Sequence, residues 1–365
     1  METTAYYAFG VPLYMMLVIA EHVRARRTGR STISFADSFG NVSAGLGAIV
    51  VGLFLGPVLL TLYEWARHTF AVVTWHEGSL VPWVLAMVLA DFGHYWHHRL
   101  DHRVAACWAV HGVHHMPEEM NFTVAMRHAW FSDVYSFPFY APLPLLGVPA
   151  SHFFVATTLL SVHALITHTV HFDFPSLGVL VTPSSHVLHH AKNPRYLDKN
   201  FGAMLRVWDR LFGTHVEIDA HDPPRWGTLR GYATHDGALA QWVLWRDLLA
   251  RVRGATSIRE RIAVFFGRPS HTGLASLAPP PASTRITTRT KAWVALQLVL
   301  AVAFSLWIFV LRDQHAWLLK VVSALTITAT LVTLGGLLDA RPGARRAEAI
   351  RIACCAVALG WLVAT

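Results

Sequence analysis

The feature that most restricts this chain is its recurring long apolar windows. Inside a bilayer no water satisfies backbone N–H and C=O groups, so only helices or closed barrels span it. Continuous apolar runs without strand-like alternation choose the helix. About 20 apolar residues cross the hydrocarbon. Windows of that order run from Thr4 to Ala20, Val42 to Tyr63, Leu80 to Trp96, Ser151 to Thr167, Ala292 to Leu311 and Val321 to Leu338. Val134 to Val148 is also apolar but carries Pro138, Pro142 and Pro144. That predicts a kinked half of a hairpin, paired with the segment after Pro149. Ile350 to Ala364 predicts a short last span or a re-entrant helix. The expected fold class is all-α, a polytopic integral membrane helical bundle with a cytoplasmic histidine-rich cap. A composition of 54% hydrophobic against 14% charged residues agrees, being too apolar for an ordinary soluble domain. The first window lacks a basic leader and a small-residue cleavage site, so it reads as a span and not as a signal peptide.

The net charge of +8 raises nucleic acid as a partner, but its distribution argues for the membrane instead. Arg24, Arg26, Arg27 and Arg30 follow the first window, and Arg341, Arg345, Arg346 and Arg351 follow the one ending at Leu338. Arg67 and Arg312 stand in the loops expected on the opposite side. This is the positive-inside pattern, and juxtamembrane arginines favour anionic headgroups. Counting crossings from the first loop puts His98 and the segment His186 to His190 on the cytoplasmic side. The three cysteines, Cys107, Cys354 and Cys355, are too few for a disulfide framework or a cysteine-based zinc site.

Three histidine clusters carry the chemistry: His98-Arg99-Leu100-Asp101-His102, His111-Gly112-Val113-His114-His115 and His186-Val187-Leu188-His189-His190. Imidazole is the commonest metal ligand near neutral pH, and i, i+3, i+4 spacing places rings on one helix face. The second and third clusters share the pattern HxxHH. Chance explains one such cluster far better than three in so apolar a chain. Eight imidazoles exceed the needs of one ion, so two ions are the economical reading. Imidazole suits Zn, Cu, Fe and Ni, and composition alone does not separate di-iron from di-zinc.

The stretch Asp91-Phe92, Tyr95-Trp96, His98-Arg99, His102, Trp108, His111 and His114-His115 resembles the fatty acid hydroxylase and sterol desaturase superfamily. So does Thr182 to Ser185 followed by His186, His189-His190, Asn193, the run Asp198 to Gly202 and the run Trp208 to Thr214. These are integral membrane oxygenases with a histidine-ligated, non-haem di-iron centre. Asn121 with Arg127, and Leu337-Leu338-Asp339-Ala340-Arg341-Pro342 with Glu348 and Arg351, resemble the branch that oxidises alkylglycerol ethers. The resemblance covers nearly the whole chain and is most specific over 91–215. It implies iron ligands at His98, His102, His111, His114, His115, His186, His189 and His190. A ninth ligand on the returning membrane helix is matched best by His168, with His171 and His163 as alternatives. Val170 stands where the animal members carry an acidic residue. The resemblance further implies two Fe, O2, a reduced pterin (tetrahydrobiopterin) as electron donor, and hydroxylation beside an ether oxygen. No residue identifies a pterin pocket on physical grounds.

Around these ligands, Asp91 is expected to orient an imidazole through a carboxylate–histidine hydrogen bond, the alternative being helix–helix glue. Asp198 and Asn200 are expected to support the ligands from behind. His94 reads as a supporting or core histidine, while His97 shares the Asp101 face and lies outside the site. His128, His215, His221 and His235 read as solvated histidines, and Asp209 with Arg210 as an ion pair.

The expected organisation is 1–171, membrane helices with the first two clusters; 172–267, a cytoplasmic cap with the third; 268–290, a linker around Pro279-Pro280-Pro281; and 291–365, a C-terminal membrane module. In the cap, Leu239 to Val252 reads either as an interfacial amphipathic helix or as one packed on the protein's own core. Competing functions are hydroxylation or desaturation of another lipid (fatty acyl, sterol or ornithine lipid), a membrane metal transporter or store, and a non-catalytic lipid-binding relative.

Overall fold

The computed structural model describes residues 2–29, 33–229, 234–269, 286–310 and 316–364. Arg30, Arg312 and most of the proposed linker lie outside these. The described chain is helical, with α1 (Glu2–Thr28), α2 (Phe35–Phe70), α3 (Val81–Asp101), α4 (Ala105–His111), α5 (Ser132–Ser136), α6 (Pro142–Leu145) and α7 (Ala150–Thr167) forming the first half. There follow α8 (Pro183–His189), α9 (Val207–Leu211), α10 (Gly237–Gly254), α11 (Ile258–Phe266), α12 (Thr288–Val310), α13 (Trp317–Leu338) and α14 (Ala344–Ala364). Two isolated β-bridges, Leu180 with Leu205 and Ala191 with Trp226, pin the loops of the 172–236 region.

Among the described residues, four helices are long and apolar enough to cross a membrane: α2, α7, α12 and α13. They leave large apolar side chains outward, such as Val58, Leu60, Leu159, Val162, Leu296, Val299 and Leu325, as a lipid-facing surface does. The 36 residues of α2 extend about 54 Å at 1.5 Å per residue, well beyond the roughly 30 Å of hydrocarbon. Its first four turns pack against the loop after the second histidine cluster. There Gly45 and Gly47 lie so close to Met126 and the Trp130 ring that a Cβ would collide at 2.5 and 2.0 Å. The Trp130 indole then donates to Ala44 O at 2.9 Å.

The proline-rich segment is not a kinked half of a span. It breaks into α5, a 3-10 turn over Phe137–Tyr140, and α6. Pro138, Pro142 and Pro144 remove three backbone donors within seven residues, so no continuous i to i−4 ladder forms. The pieces fold under α3 instead, with Leu143 fully buried in a cluster with Tyr63, Ala86, Ala90 and Leu160. Helix α10 buries Ala240, Val243, Leu244 and Leu248 against Ala109 and Val113 beside α4. Its Leu239, Trp242 and Leu249 stay exposed, so the helix packs on the core with one face and leaves a second apolar face outward.

The C-terminal helices are tied to the rest of the molecule by charge. Asp339, just past α13, accepts from Thr234 Oγ1, His235 N and His235 Nδ1 at 2.7, 2.9 and 2.8 Å. Arg341 reaches the buried Asp236 at 2.6 Å. His235 is thus an ion-paired residue between Asp339 and Asp37, not a solvated one. Burial disfavours its charge, but the hydrogen bonds to Asp339 and Asp37 outweigh this and lift it to about 9. His128 and His221 are exposed as expected, while His215 is half-buried against Arg206 and Glu217.

Candidate metal centre

The three histidine clusters converge. His98, His102, His111, His115 and His189 form one group, and His114, His168, His186 and His190 a second, with the potential ligand atoms of each group within 4.8 Å of one another. The two HxxHH motifs are wired reciprocally. In the second cluster the i and i+4 rings, His111 and His115, serve the five-member group, while His114 serves the other. In the third, His186 and His190 serve the four-member group and His189 crosses over. Neighbouring rings thus join the groups, with His115 stacked on His190 at 4.4 Å between centroids.

The hydrogen bonds behind the rings set their tautomers. A carbonyl oxygen only accepts, so an imidazole nitrogen bonded to it carries the proton. His98 Nδ1 donates to Phe201 O at 2.9 Å and His189 Nδ1 to Lys199 O at 2.8 Å. His114 Nδ1 donates to Arg127 O at 3.1 Å and His168 Nδ1 to Ala164 O at 2.6 Å. Each Nε2 is then a bare lone pair aimed inward. For His98 and His189 that atom is buried without a hydrogen-bond partner. For His114 and His168 the two lone pairs face each other at 3.0 Å, and His186 Nε2 lies 2.9 Å from His168 Nε2.

Lone pairs in such contact repel unless a cation lies between them. A proton is a poor candidate, because burial first and neighbouring imidazoles second hold His114, His186 and His190 well below the ordinary histidine range. The same causes keep His111 and His115 neutral, the form that binds metal. Nitrogens about 2.1 Å from a common ion lie about 3.0–3.4 Å apart, the spacing seen here. The residues fit two metal ions.

His94, His97, His163 and His171 are in neither group. His163 bonds Val181 O at 2.8 Å instead. Asp91 meets no clustered imidazole among the described residues: it accepts from Met204 N, Leu205 N and the Trp208 indole at 2.8, 3.3 and 2.7 Å, stapling the loop before α9 onto α3. The carboxylate that meets a clustered histidine is Asp101, which the sequence reading passed over. Its Oδ2 lies 3.5 Å from His111 Nδ1, and its Oδ1 accepts from Tyr135 OH at 2.6 Å.

Asp198 and Asn200 act through the backbone. Both have positive φ, 57° and 54°, a conformation asparagine and aspartate tolerate better than most residues. The reversals present Lys199 O to His189 and Phe201 O to His98. Asp198 pairs with Arg103 at 3.2 Å. Asn200 clamps Ser185 O and Val216 O at 2.9 and 3.0 Å. Asp209 completes the strap by accepting from Phe201 N and Gly202 N, each at 2.8 Å, while Arg210 turns away to Gly178 O. The expected Asp209–Arg210 pair is replaced by this.

Glu21 was also missed. This fully buried carboxylate of α1 accepts from Phe122 N at 2.8 Å and from the Thr169 hydroxyl. It joins the loop after the second cluster to the loop holding His168. Tyr14 and Arg24 of the same helix reach Phe122 O and His171 O.

Two closed groups of imidazoles beside membrane-length apolar helices define a membrane hydroxylase with a histidine-ligated di-metal site, and not a path of ligands along which an ion would be carried. Comparison with known proteins supports this. Residues 83–214 match the family model described as "Fatty acid hydroxylase". An alkylglycerol monooxygenase of Danio rerio is 30% identical over 96% of this chain and 81% of its own length. That of Homo sapiens is 27% identical over the same shares. The ornithine lipid hydroxylase OlsE of Rhizobium tropici is 32% identical over 39% of this chain and 42% of its own. No solved structure matches the chain significantly. The chain belongs to the fatty acid hydroxylase family and is a non-haem di-iron hydroxylase.

Proposed function

We propose that the protein hydroxylates an ether lipid, an alkylglycerol, at the carbon next to the ether oxygen. The reaction takes O2, two electrons and two protons, inserts one oxygen atom into that C–H bond and releases the other as water. The hemiacetal then collapses to a long-chain aldehyde and a glycerol product. The observation that carries this reading is the reach of the similarity to alkylglycerol monooxygenases, which runs over 96% of the chain and so through α13 and into α14. The ornithine lipid hydroxylase, whose match covers 39%, keeps hydroxylation of another lipid as the second reading.

In this reading the nine grouped histidines hold the metal. A bound di-iron centre supplies the activation of dioxygen and the oxidising power for an unactivated C–H bond. The protein's share is orientation and exclusion of water. The carbonyls of Lys199, Phe201, Arg127 and Ala164 fix each ring's tautomer and direction. Asp91, Asp198 and Asn200 shape the loops that present those carbonyls. The apolar helices and the folded proline-rich segment house the alkyl chain. We place the site on the cytoplasmic side, from the arginine bias, and take a reduced pterin as the electron donor, from the resemblance.

Membranes containing the protein, given an alkylglycerol, reduced pterin and oxygen, should release aldehyde. Absence of aldehyde, with hydroxylated acyl lipids accumulating in expressing cells, would replace ether cleavage by the general hydroxylase reading. Labelling of a cysteine introduced near His215 from outside intact cells would overturn the topology.

A further inference from the structure

Two histidines of α3 lie beside the metal groups but belong to neither. His94 and His97 are half-buried, with rings 4.9 Å apart. The His94 ring lies 5.2 Å from that of His98. On its other side His97 meets Phe139 and Tyr140, each at 6.3 Å, from the 3-10 turn of the proline-rich segment. That turn comes close because Gly93 has no Cβ, which would sit 2.8 Å from Phe139 O. His97 Nδ1 is buried and has no hydrogen-bond partner among the described residues. A buried polar atom without a partner calls for an explanation, commonly a role in function or a missing ligand. Packing does not supply one here, since an aromatic ring of similar shape would fill the place without leaving an unmet polar atom.

We propose that His97 and His94 bind the polar end of the lipid beside the metal centre, and that this end is an uncharged head bearing hydroxyl or ether oxygens. The proposal rests on the lipid hydroxylase reading and narrows its substrate class. Imidazole offers one donor and one acceptor nitrogen, which suits a hydroxyl that both gives and takes a hydrogen bond. The rings packed on the pair, His98, Phe139 and Tyr140, bring no fixed charge. A phosphate or carboxylate head would call for arginine or lysine, and the arginines nearby are committed elsewhere. Arg99 bonds Tyr95 OH and covers Trp96, Arg103 pairs with Asp198, and Arg127 is held by Val113 O and Asn41. A hydroxyl fixed one helical turn from His98 keeps the adjoining carbons close to the five-member group.

The test is equilibrium binding to the full chain in lipid nanodiscs, with 1-O-hexadecylglycerol, hexadecyl methyl ether and hexadecyl phosphate as probes. Wild type should bind the alkylglycerol at least about tenfold more tightly than the methyl ether, and hexadecyl phosphate no better than the methyl ether. His97→Phe should remove most of that preference by weakening only the alkylglycerol, with iron content unchanged, and His97→Asn should restore part of it. Equal wild-type affinity for the alkylglycerol and the methyl ether, or preference for the phosphate, would overturn the proposal without recourse to variants. So would a His97→Phe protein that retains the preference. Aldehyde release is measured on the same wild-type sample. Hydroxyl-dependent binding without aldehyde would sink ether cleavage alone; aldehyde without hydroxyl-dependent binding would sink this proposal alone.

Discussion

The two metal groups are built from the same residue but held by different parts of the molecule. The five-member group is braced by the strap of residues 198–202, with Lys199 O and Phe201 O behind His189 and His98 and Asp101 beside His111. The four-member group is braced by Ala164 O in the last turn of α7 behind His168 and by Arg127 O, at the end of the 3-10 turn Phe122–Met126, behind His114. Glu21 of α1 joins the two loops concerned. One group therefore depends on the strap of 198–202, the other on α7 and on the loop after the second cluster, which Glu21 of α1 ties together. Changes behind either should be felt first by the group they brace, whereas loss of a ligand from a shared motif should empty that ligand's group and stop the reaction, which needs both.

The largest effects test that sharing. His189→Ala and His190→Ala should each abolish turnover while the helices still insert, and each should lower bound iron from about two per chain towards one. Elemental analysis of protein purified without chelator reads this, and a single tightly held zinc in wild type would end the di-iron reading. His168→Ala should lose iron in the same way and His171→Ala should not. The reverse would move the ninth ligand to His171.

Next comes the strap. Asp209→Ala frees Phe201 N and Gly202 N, and the carbonyls behind His98 and His189 lose their fixed direction. A loss of about 10–100-fold in metal affinity is expected, measured by competition with a chelator and confined to one of the two ions. Equal loss of both would break the division drawn above. Glu21→Gln should act on the opposite group and more weakly, by about tenfold or less, since the amide still accepts from one of its two donors.

The smallest effect lies outside both groups. His235 is held at about 9 between Asp339 and Asp37, above an unfolded value near 6.5. Its contribution is complete below about pH 6.5 and is lost as pH rises through about 9. Thermal unfolding in detergent should show a loss of order 1–3 kcal/mol between pH 6 and 10. In His235→Gln that dependence should flatten.

The clustered histidines were legible because helical spacing and sequence spacing coincide over four residues. Their division into two groups was not, since it depends on which ring of each HxxHH motif points across. The ninth position stayed open among His163, His168 and His171, because α7 ends there and periodicity no longer orders the rings. Asp101 was hidden by distance, since His111 is ten residues away and Tyr135 further. Glu21 reads as an ordinary charge at the end of a span, and only contacts with Phe122 and Thr169, more than a hundred residues on, give it a role. In the proline-rich segment the apolar run was read as half of a hairpin span, and the segment breaks into short helical turns instead. Three prolines within seven positions outweighed the apolar signal.

The crossed wiring of the two HxxHH motifs also sets an order of events in biosynthesis. His111 and His115 emerge from the ribosome long before His189 and His190, yet neither set of ligands closes until α8 has returned to the second cluster. A chain still short of residue 190 has no finished cage to offer. The four-member group, three of whose ligands are His168, His186 and His190, is thereby completed last, after α7 has been made, whereas the five-member group by then lacks only His189.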